Sequence, residues 1–206
     1  MGKPERIVRD AQELRVLAHP VRMRIRQALY ERGQATATEL AELIGESPAN
    51  CSWHLRQLAR YHFVEEVGDG RGRNRPWRPA AYNLSWGSSD DVGELAAAGD
   101  ALSSMISEQE FSSLRDWQAW HRIDPPQWQD AAAFVQAVDW LTAEELARLN
   151  KTLTDIVARR REGREDPARR PEGARRVRIF AWAVPAEPMP AVAGGAGTGE
   201  GTSGDG

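Results

Sequence analysis

The chain has 206 residues, of which 41% are hydrophobic and 28% charged, with a formal net charge of −3. This is the balance of a soluble globular protein, and without a run of eighteen apolar residues no membrane-spanning segment is expected. The single cysteine, Cys51, excludes an internal disulfide and fits a reducing, cytoplasmic setting. Charge is unevenly placed. Residues 1–86 hold 14 Lys/Arg against 10 Asp/Glu, and residues 87–206 hold 13 against 20, balances of +4 and −7. A basic half joined to an acidic half suits a polyanion-binding module with a separate attachment.

The first stretch, "MGKPERIVRDAQELRVL", is charged and amphipathic, without the apolar core of a secretion signal or the Ser/Thr of a myristoylation site. Ile7, Ala11, Leu14 and Ala18 recur near a helical period, which predicts a helix over residues 7–17. "AHPVRMRIRQALYERG" predicts a second helix from Pro20 to the stop at Gly33. It has Val21, Ile25 and Leu29 on one face, and Arg22, Arg24, Arg26 and Arg32 form a basic outer surface. In "TATELAELIG", Thr36 and Glu39 form a capping box, Leu40, Leu43 and Ile44 face inward, and Gly45 is the left-handed stop.

Ser47 is a good N-cap for the next helix and Pro48 suits its first position. Two short helices joined so tightly form a helix-turn-helix. In "ESPANCSWHLRQL", Cys51, Leu55 and Leu58 form the buried seam. Ala49, Asn50, Trp53 and Arg56 project outward. "FVEEV" and "AYNL" read as two strands of a hairpin whose loop, residues 68–75, is rich in Gly and Arg, with Arg78 just beyond. Such a hairpin is a wing: its glycines allow close approach and its arginines seek phosphate.

After Trp86 a long helix is expected, entered through residues 88–91 and stopped at Pro125-Pro126. "QWQDAAAFVQAVDWL" predicts a shorter one. Thr142 and Glu145 form another capping box, opening a helix with Leu146, Leu149, Leu153 and Ile156 on one face. A mixed-charge linker follows, then "RVRIFAWAV", whose alternation predicts a strand. The expected fold class is mainly α with a small β-hairpin wing (α+β): a winged helix-turn-helix, a helical extension and a C-terminal strand. The expected domains are residues 1–86 for DNA binding, 87–185 for dimerisation or effector sensing, and 186–206 as a disordered tail.

"LAHPVRMRIRQAL", "ATELAELIGESPANCSWHLRQLARYHFVEEV" and the Arg/Gly-rich hairpin, in that order and spacing, resemble winged helix-turn-helix transcriptional regulators of the arsenical-resistance repressor (ArsR) type. They are most similar to bacterial members with a helical C-terminal extension. The resemblance covers about residues 10–85. It implies a recognition helix over residues 48–57, a wing over residues 68–78, and a homodimer on double-stranded DNA. It also implies repression as the likelier sign, with the first helix and the long helix after Trp86 as dimer elements.

The DNA-binding residues expected are Ser47, Pro48, Ala49, Asn50, Ser52, Trp53, His54 and Arg56 on the helix, and Arg71, Arg73 and Arg75 on the wing. The first turn of such a helix enters the major groove, where Asn reads adenine and Ser contacts either kind of base. Ser47 and the free N–H groups of that turn suit a phosphate. His54, Arg56 and the wing arginines would contact the backbone or minor groove. Trp53 and His62 depart from the family pattern, which has Arg or Tyr at the first and Gly at the second. Trp53 reads either as a ring that stacks at DNA or as one packed under the neighbouring helix. His62 meets a cost if the chain there is left-handed.

Cys51 and His19, His54, His62 and His121 are too scattered for metal sensing. "GDGRGRN" lacks the third glycine of a dinucleotide loop. No enzyme, metal or cofactor is expected. Trp117, Trp120, Trp128, Trp140 and Trp182 read as core and subunit interface, with a pocket for an unknown small-molecule effector as the alternative. The rival reading is a protein-interaction module that keeps the winged-helix shape.

Overall fold

Local caps and one left-handed turn build the centre of the molecule. The computed structural model describes residues 4–68, 75–161, 163–164 and 167–188. Helix α1 (Ala11–Leu17) starts at Asp10, whose carboxylate accepts the N–H groups of Gln12 and Glu13 at 2.7 and 3.0 Å. Helix α2 (Pro20–Arg32) opens on proline, capped by His19, and stops at Gly33 with φ 80°. Helix α3 (Ala37–Ile44) carries the full Thr36–Glu39 capping box and ends at Gly45 in the left-handed region (φ 68°, ψ 39°). Helix α4 (Pro48–Arg60) follows at once, with the Ser47 hydroxyl accepting the Asn50 N–H at 3.1 Å. These caps satisfy backbone donors that a helix leaves open at its first turn.

The chain before α1 departs from the helix expected over residues 7–17. Glu5–Ile7 is a strand, β1. The Arg6 guanidinium explains it, donating to the Tyr61 carbonyl (2.8 Å), the Tyr82 hydroxyl (2.7 Å) and Glu13 (2.7 Å) and lying over the Phe63 and Tyr82 rings. Strand β2 (Val64–Glu66) pairs antiparallel with β3 (Trp77–Pro79), Glu66 opposite Trp77, and Ala35 bridges to Trp77. The return strand of the hairpin is thus Trp77–Pro79, anchored by the buried Trp77, and not "AYNL". The latter contributes to β4 (Asn83–Ser85), which pairs in parallel with β1.

Leu14, Leu17, Ile25, Leu29, Leu40, Leu55, Leu58 and Phe63 fill the core between these elements. Leu43, expected inward, is 45% exposed; Ala41 takes its place in the packed face. Of the basic residues expected outside on α2, Arg24 and Arg32 are exposed, whereas Arg22 and Arg26 are half-buried. Helix α5 (Gly93–Trp120) packs its first half on α1 through Ala98 and Leu102, and Trp86 donates to the Ser103 hydroxyl at 3.0 Å.

Beyond Leu102 no described side chain is buried. A 3₁₀ turn (His121–Ile123) leads to α6 (Pro126–Ala131), six residues long, where a helix over residues 127–141 was expected. Residues 132–142 form no regular element, and the apolar run there is exposed, with Phe134 resting beside the Trp117 ring. Helix α7 (Ala143–Arg161) begins with the expected Thr142–Glu145 box. Residues 176–184, expected as a strand, form none; no described strand lies beside them to accept a ladder. They run past α5 and α7 instead, through Arg178–Glu110 (2.9 Å), Phe180 near Phe111, and the Asn150 amide on the Ala183 carbonyl (3.1 Å). Of the tail expected to be disordered, residues 189–206 lie outside the described ones. Among the described residues, no helix is long and apolar enough to cross a membrane.

Candidate nucleic-acid interface

The turn between α3 and α4 sets the geometry of the candidate surface. Cys51, Leu55 and Leu58 are fully buried, which locks α4 on the core and turns its opposite side to solvent. Ser47, Pro48, Ala49, Trp53 and Arg56 are exposed, and Asn50 and Ser52 half-buried. Together they form one face beginning at the helix N-terminus.

Asn50 is held from behind. Its amide nitrogen donates to Glu46 at 2.9 Å, and the other oxygen of Glu46 takes the Arg24 guanidinium at 2.7 Å. Arg24 also donates to the Ile44 carbonyl at 2.7 Å, at the end of α3. The Asn50 amide and then Arg24 hold the Glu46 carboxyl below the usual carboxylate range. Arg24, Glu46 and Asn50 therefore link α2, the turn and α4, and fix which amide edge Asn50 shows. Glu46 stands four residues before Asn50, a spacing visible in the sequence; its tertiary partner Arg24 is not.

His54 does not sit where it was expected. It is 4% exposed: three residues after Cys51 and four before Leu58, it falls on the buried side of α4, and so it cannot reach a backbone phosphate from there. Its ring is 4.6 Å from that of His19 and meets the edge of Trp53 at 4.7 Å. Trp53 itself is 49% exposed and packs beside the His54 ring. His19 Nδ1 accepts the Val21 N–H at 3.2 Å, which places the proton of the neutral ring on Nε2. His54 Nδ1 is buried with no hydrogen-bond partner. Burial, then His19 and Arg22, push the His54 imidazole below its ordinary value, and burial, then Arg22, does the same to His19. His19 and His54, far apart in the sequence, thus lie ring beside ring, tilted at 48°. Among the described residues, no group of three or more His, Cys, Asp or Glu could hold a metal ion.

His62, just past α4, has φ 59°, the left-handed backbone anticipated for it. Its carbonyl accepts the Tyr82 hydroxyl, which ties the exit of α4 to the chain before β4. In the wing, Arg71 and Arg73 lie outside the described residues. Arg75 pairs with Glu66 and Arg78 with Glu65, each at 2.8 Å. Of the five extension tryptophans, Trp117 sits beside His121 and Phe134, and Trp128 lies under Arg175. Trp120, Trp140 and Trp182 are exposed.

Residues 17–67 match the family model described as a helix-turn-helix domain, which covers α2, α3, α4 and β2. No curated protein matches the chain. Among solved structures, the chain is similar to Rv0081 of M. tuberculosis, at 29% identity over 48% of this chain and 90% of that one, TM-score 0.31. It is similar to a transcriptional regulator homologue of Pyrococcus horikoshii, at 18% identity over 49% and 93%, TM-score 0.30. It is also similar to S. aureus MepR in a DNA complex, at 15% identity over 54% and 84%, TM-score 0.30. TM-scores this low leave the fold to be argued from the chain itself. Its own geometry is mostly helical with one small antiparallel hairpin after a helix-turn-helix, consistent with a winged helix-turn-helix.

Proposed function

We propose that the chain is a sequence-specific, duplex-DNA-binding transcriptional regulator of the ArsR-like kind, a cytoplasmic bacterial repressor acting as a homodimer. The observation that carries this reading is the outward face of α4, capped at Ser47 and rigidly seated by Cys51, Leu55 and Leu58. A recognition helix enters the major groove by its first turn. There the second Asn50 N–H and its carbonyl oxygen, with the first N–H committed to Glu46, form the pair that reads adenine. Ser47, Pro48 and Ala49 line the entry, Ser52 and Trp53 flank it, and Arg56 lies further along at the level of the backbone. Two-fold symmetric operators match a two-fold dimer.

One observation favours the rival reading, a protein-interaction module. The described wing arginines, Arg75 and Arg78, already face carboxylates, which reduces the charge left for phosphate. Salt separates the two readings, because phosphate binding releases counterions and weakens steeply as salt rises. Fluorescence anisotropy on the DNA upstream of its own gene, against random duplex and at two salt concentrations, is the test. Asn50→Ala is expected to lower specific affinity by about 5- to 150-fold, the worth of one bidentate base contact, and Arg56→Ala to reduce the salt slope by about one. Specific affinity unchanged in both folded variants would overturn the reading.

A further inference from the structure

Glu46 occupies the turn between α3 and α4, four residues before Asn50. One carboxylate oxygen accepts the Asn50 amide nitrogen at 2.9 Å, and the other takes the Arg24 guanidinium at 2.7 Å. Arg24 is fixed in turn by the Ile44 carbonyl at 2.7 Å. The Ser47 hydroxyl holds the Asn50 backbone N–H at 3.1 Å, so the base of the side chain is fixed as well. An ionised carboxylate accepts hydrogen bonds and donates none. The part of the Asn50 amide that faces Glu46 is therefore its nitrogen. One N–H and one carbonyl oxygen remain on the free edge.

In the major groove adenine shows an acceptor, N7, beside a donor, the N6 amino group, whereas guanine shows two acceptors, N7 and O6. One N–H beside one oxygen matches adenine. Against guanine the same edge sets oxygen against oxygen and leaves both acceptors unpaired, which lowers affinity. An amide with both N–H groups free could turn its nitrogen to guanine and donate to N7 and O6 together. We propose that Glu46 is a specificity-determining residue: by committing one N–H of Asn50, with Arg24 as its anchor, it sets α4 to take adenine and refuse guanine. Neither Glu46 nor Arg24 needs to touch DNA, since both act through the Asn50 amide. This deepens the regulator reading and rests on it.

Glu46→Gln tests the proposal, because it keeps the shape of the side chain and changes only what it can accept. Arg24 can only donate, so it holds the oxygen of the new amide and turns the amide nitrogen toward Asn50. Asn50 then answers with its own oxygen and presents both N–H groups outward, the pair that guanine accepts. The full-length wild type is used to select sites from a random-sequence duplex pool. The base read by Asn50 is the one whose preference is lost in Asn50→Ala. Fluorescence anisotropy on labelled duplexes that differ at that base alone then gives the adenine-over-guanine affinity ratio. The wild type is expected to favour adenine by about 5- to 150-fold, and Glu46→Gln to lower that ratio by about tenfold or more. Adding Arg24→Met to Glu46→Gln, which lets the amide turn back, should restore part of the ratio. In the Asn50→Ala background, Glu46→Gln should leave the ratio as it is. A ratio that Glu46→Gln leaves unchanged in the wild-type background would overturn the proposal, since a merely structural role lowers both affinities alike. So would selected sites that Asn50→Ala leaves intact, although the regulator reading would then stand. A wild type that selects no sequence at all would remove the regulator reading and the proposal with it.

Discussion

Helices α4 and α7 carry the same kind of stripe and meet different fates. On α4, Cys51, Leu55 and Leu58 are fully buried against α1, α2 and α3. On α7, Leu146, Leu149, Leu153 and Ile156 are half-buried or exposed. Both helices are properly capped, α4 by Ser47 and α7 by the Thr142–Glu145 box. Amphipathic period and caps are enough to form a helix, whereas burial needs a neighbour. Residues 4–102 bury one another's side chains; the described residues from 103 to 188 touch, as Phe111 does Phe180 and Asn150 does Ala183, without burying any side chain fully.

The sharpest way to break that contrast is truncation of matched leucines. Leu55→Ala is expected to cost about 2–5 kcal/mol through lost transfer and a residual cavity, the same at every protein concentration in urea titrations. Leu149→Ala, at an exposed position, should cost under ~0.5 kcal/mol, as surface changes do. Equal, concentration-independent losses would erase the difference between the two regions.

A smaller effect comes from acid. His54 is buried and its imidazole is held below its ordinary value by burial, His19 and Arg22, with Glu46 opposing. The unfolded chain therefore takes up protons at a higher pH than the folded one, so stability is full above the unfolded value near 6.5 and falls as pH drops below it. Thermal melts should show a lower Tm at pH 5.5 than at 7.5, and His54→Leu should narrow that gap. A gap unaffected by His54→Leu would place the acid sensitivity elsewhere, with His19 next to be replaced. The extension has no buried histidine among its described residues, so no matching effect is expected there.

The smallest effect is at the exit of α4. His62 holds a positive φ without being glycine, so His62→Gly is expected to gain up to ~1 kcal/mol, less what glycine gives to the unfolded chain. That corresponds to a Tm rise of about 1–3 °C. A drop in Tm would mean that the His62 side chain contributes more than its backbone costs.

The features legible in the sequence are the local ones. Thr36 with Glu39, Gly45, Ser47 with Pro48, and the seam of Cys51, Leu55 and Leu58 are set by spacings of seven residues or fewer, and the structure holds them all. At His62 the sequence raised the question of a left-handed backbone, and the structure answers it with φ 59°. The features that escaped depend on distant partners. Glu5–Ile7 joins Asn83–Ser85, and Arg6 makes that pairing outweigh a helical pattern. Two short apolar stretches competed to return the hairpin, and the bridge from Ala35 to Trp77 decides between them. In the extension, "AAAFVQAVDWL" and "RVRIFAWAV" have the right periods for a helix and a strand, but the first finds no surface that buries it and the second no described strand to pair with. His54 was misplaced by a single step around the helix.

The parallel pairing of β1 with β4 also bears on how the chain is made. The strand at residues 5–7 has no partner until residue 85 has left the ribosome, and α1 lacks the α5 side of its packing until Leu102 follows. At about 5–20 residues per second, the opening segment waits roughly 4–15 s with Ile7, Leu14 and Leu17 uncovered, while α2, α3 and α4 can already assemble on one another. The helix-turn-helix is thus the first part of the nascent chain able to stand, and the N-terminal strand is the last piece of that region to be stitched in.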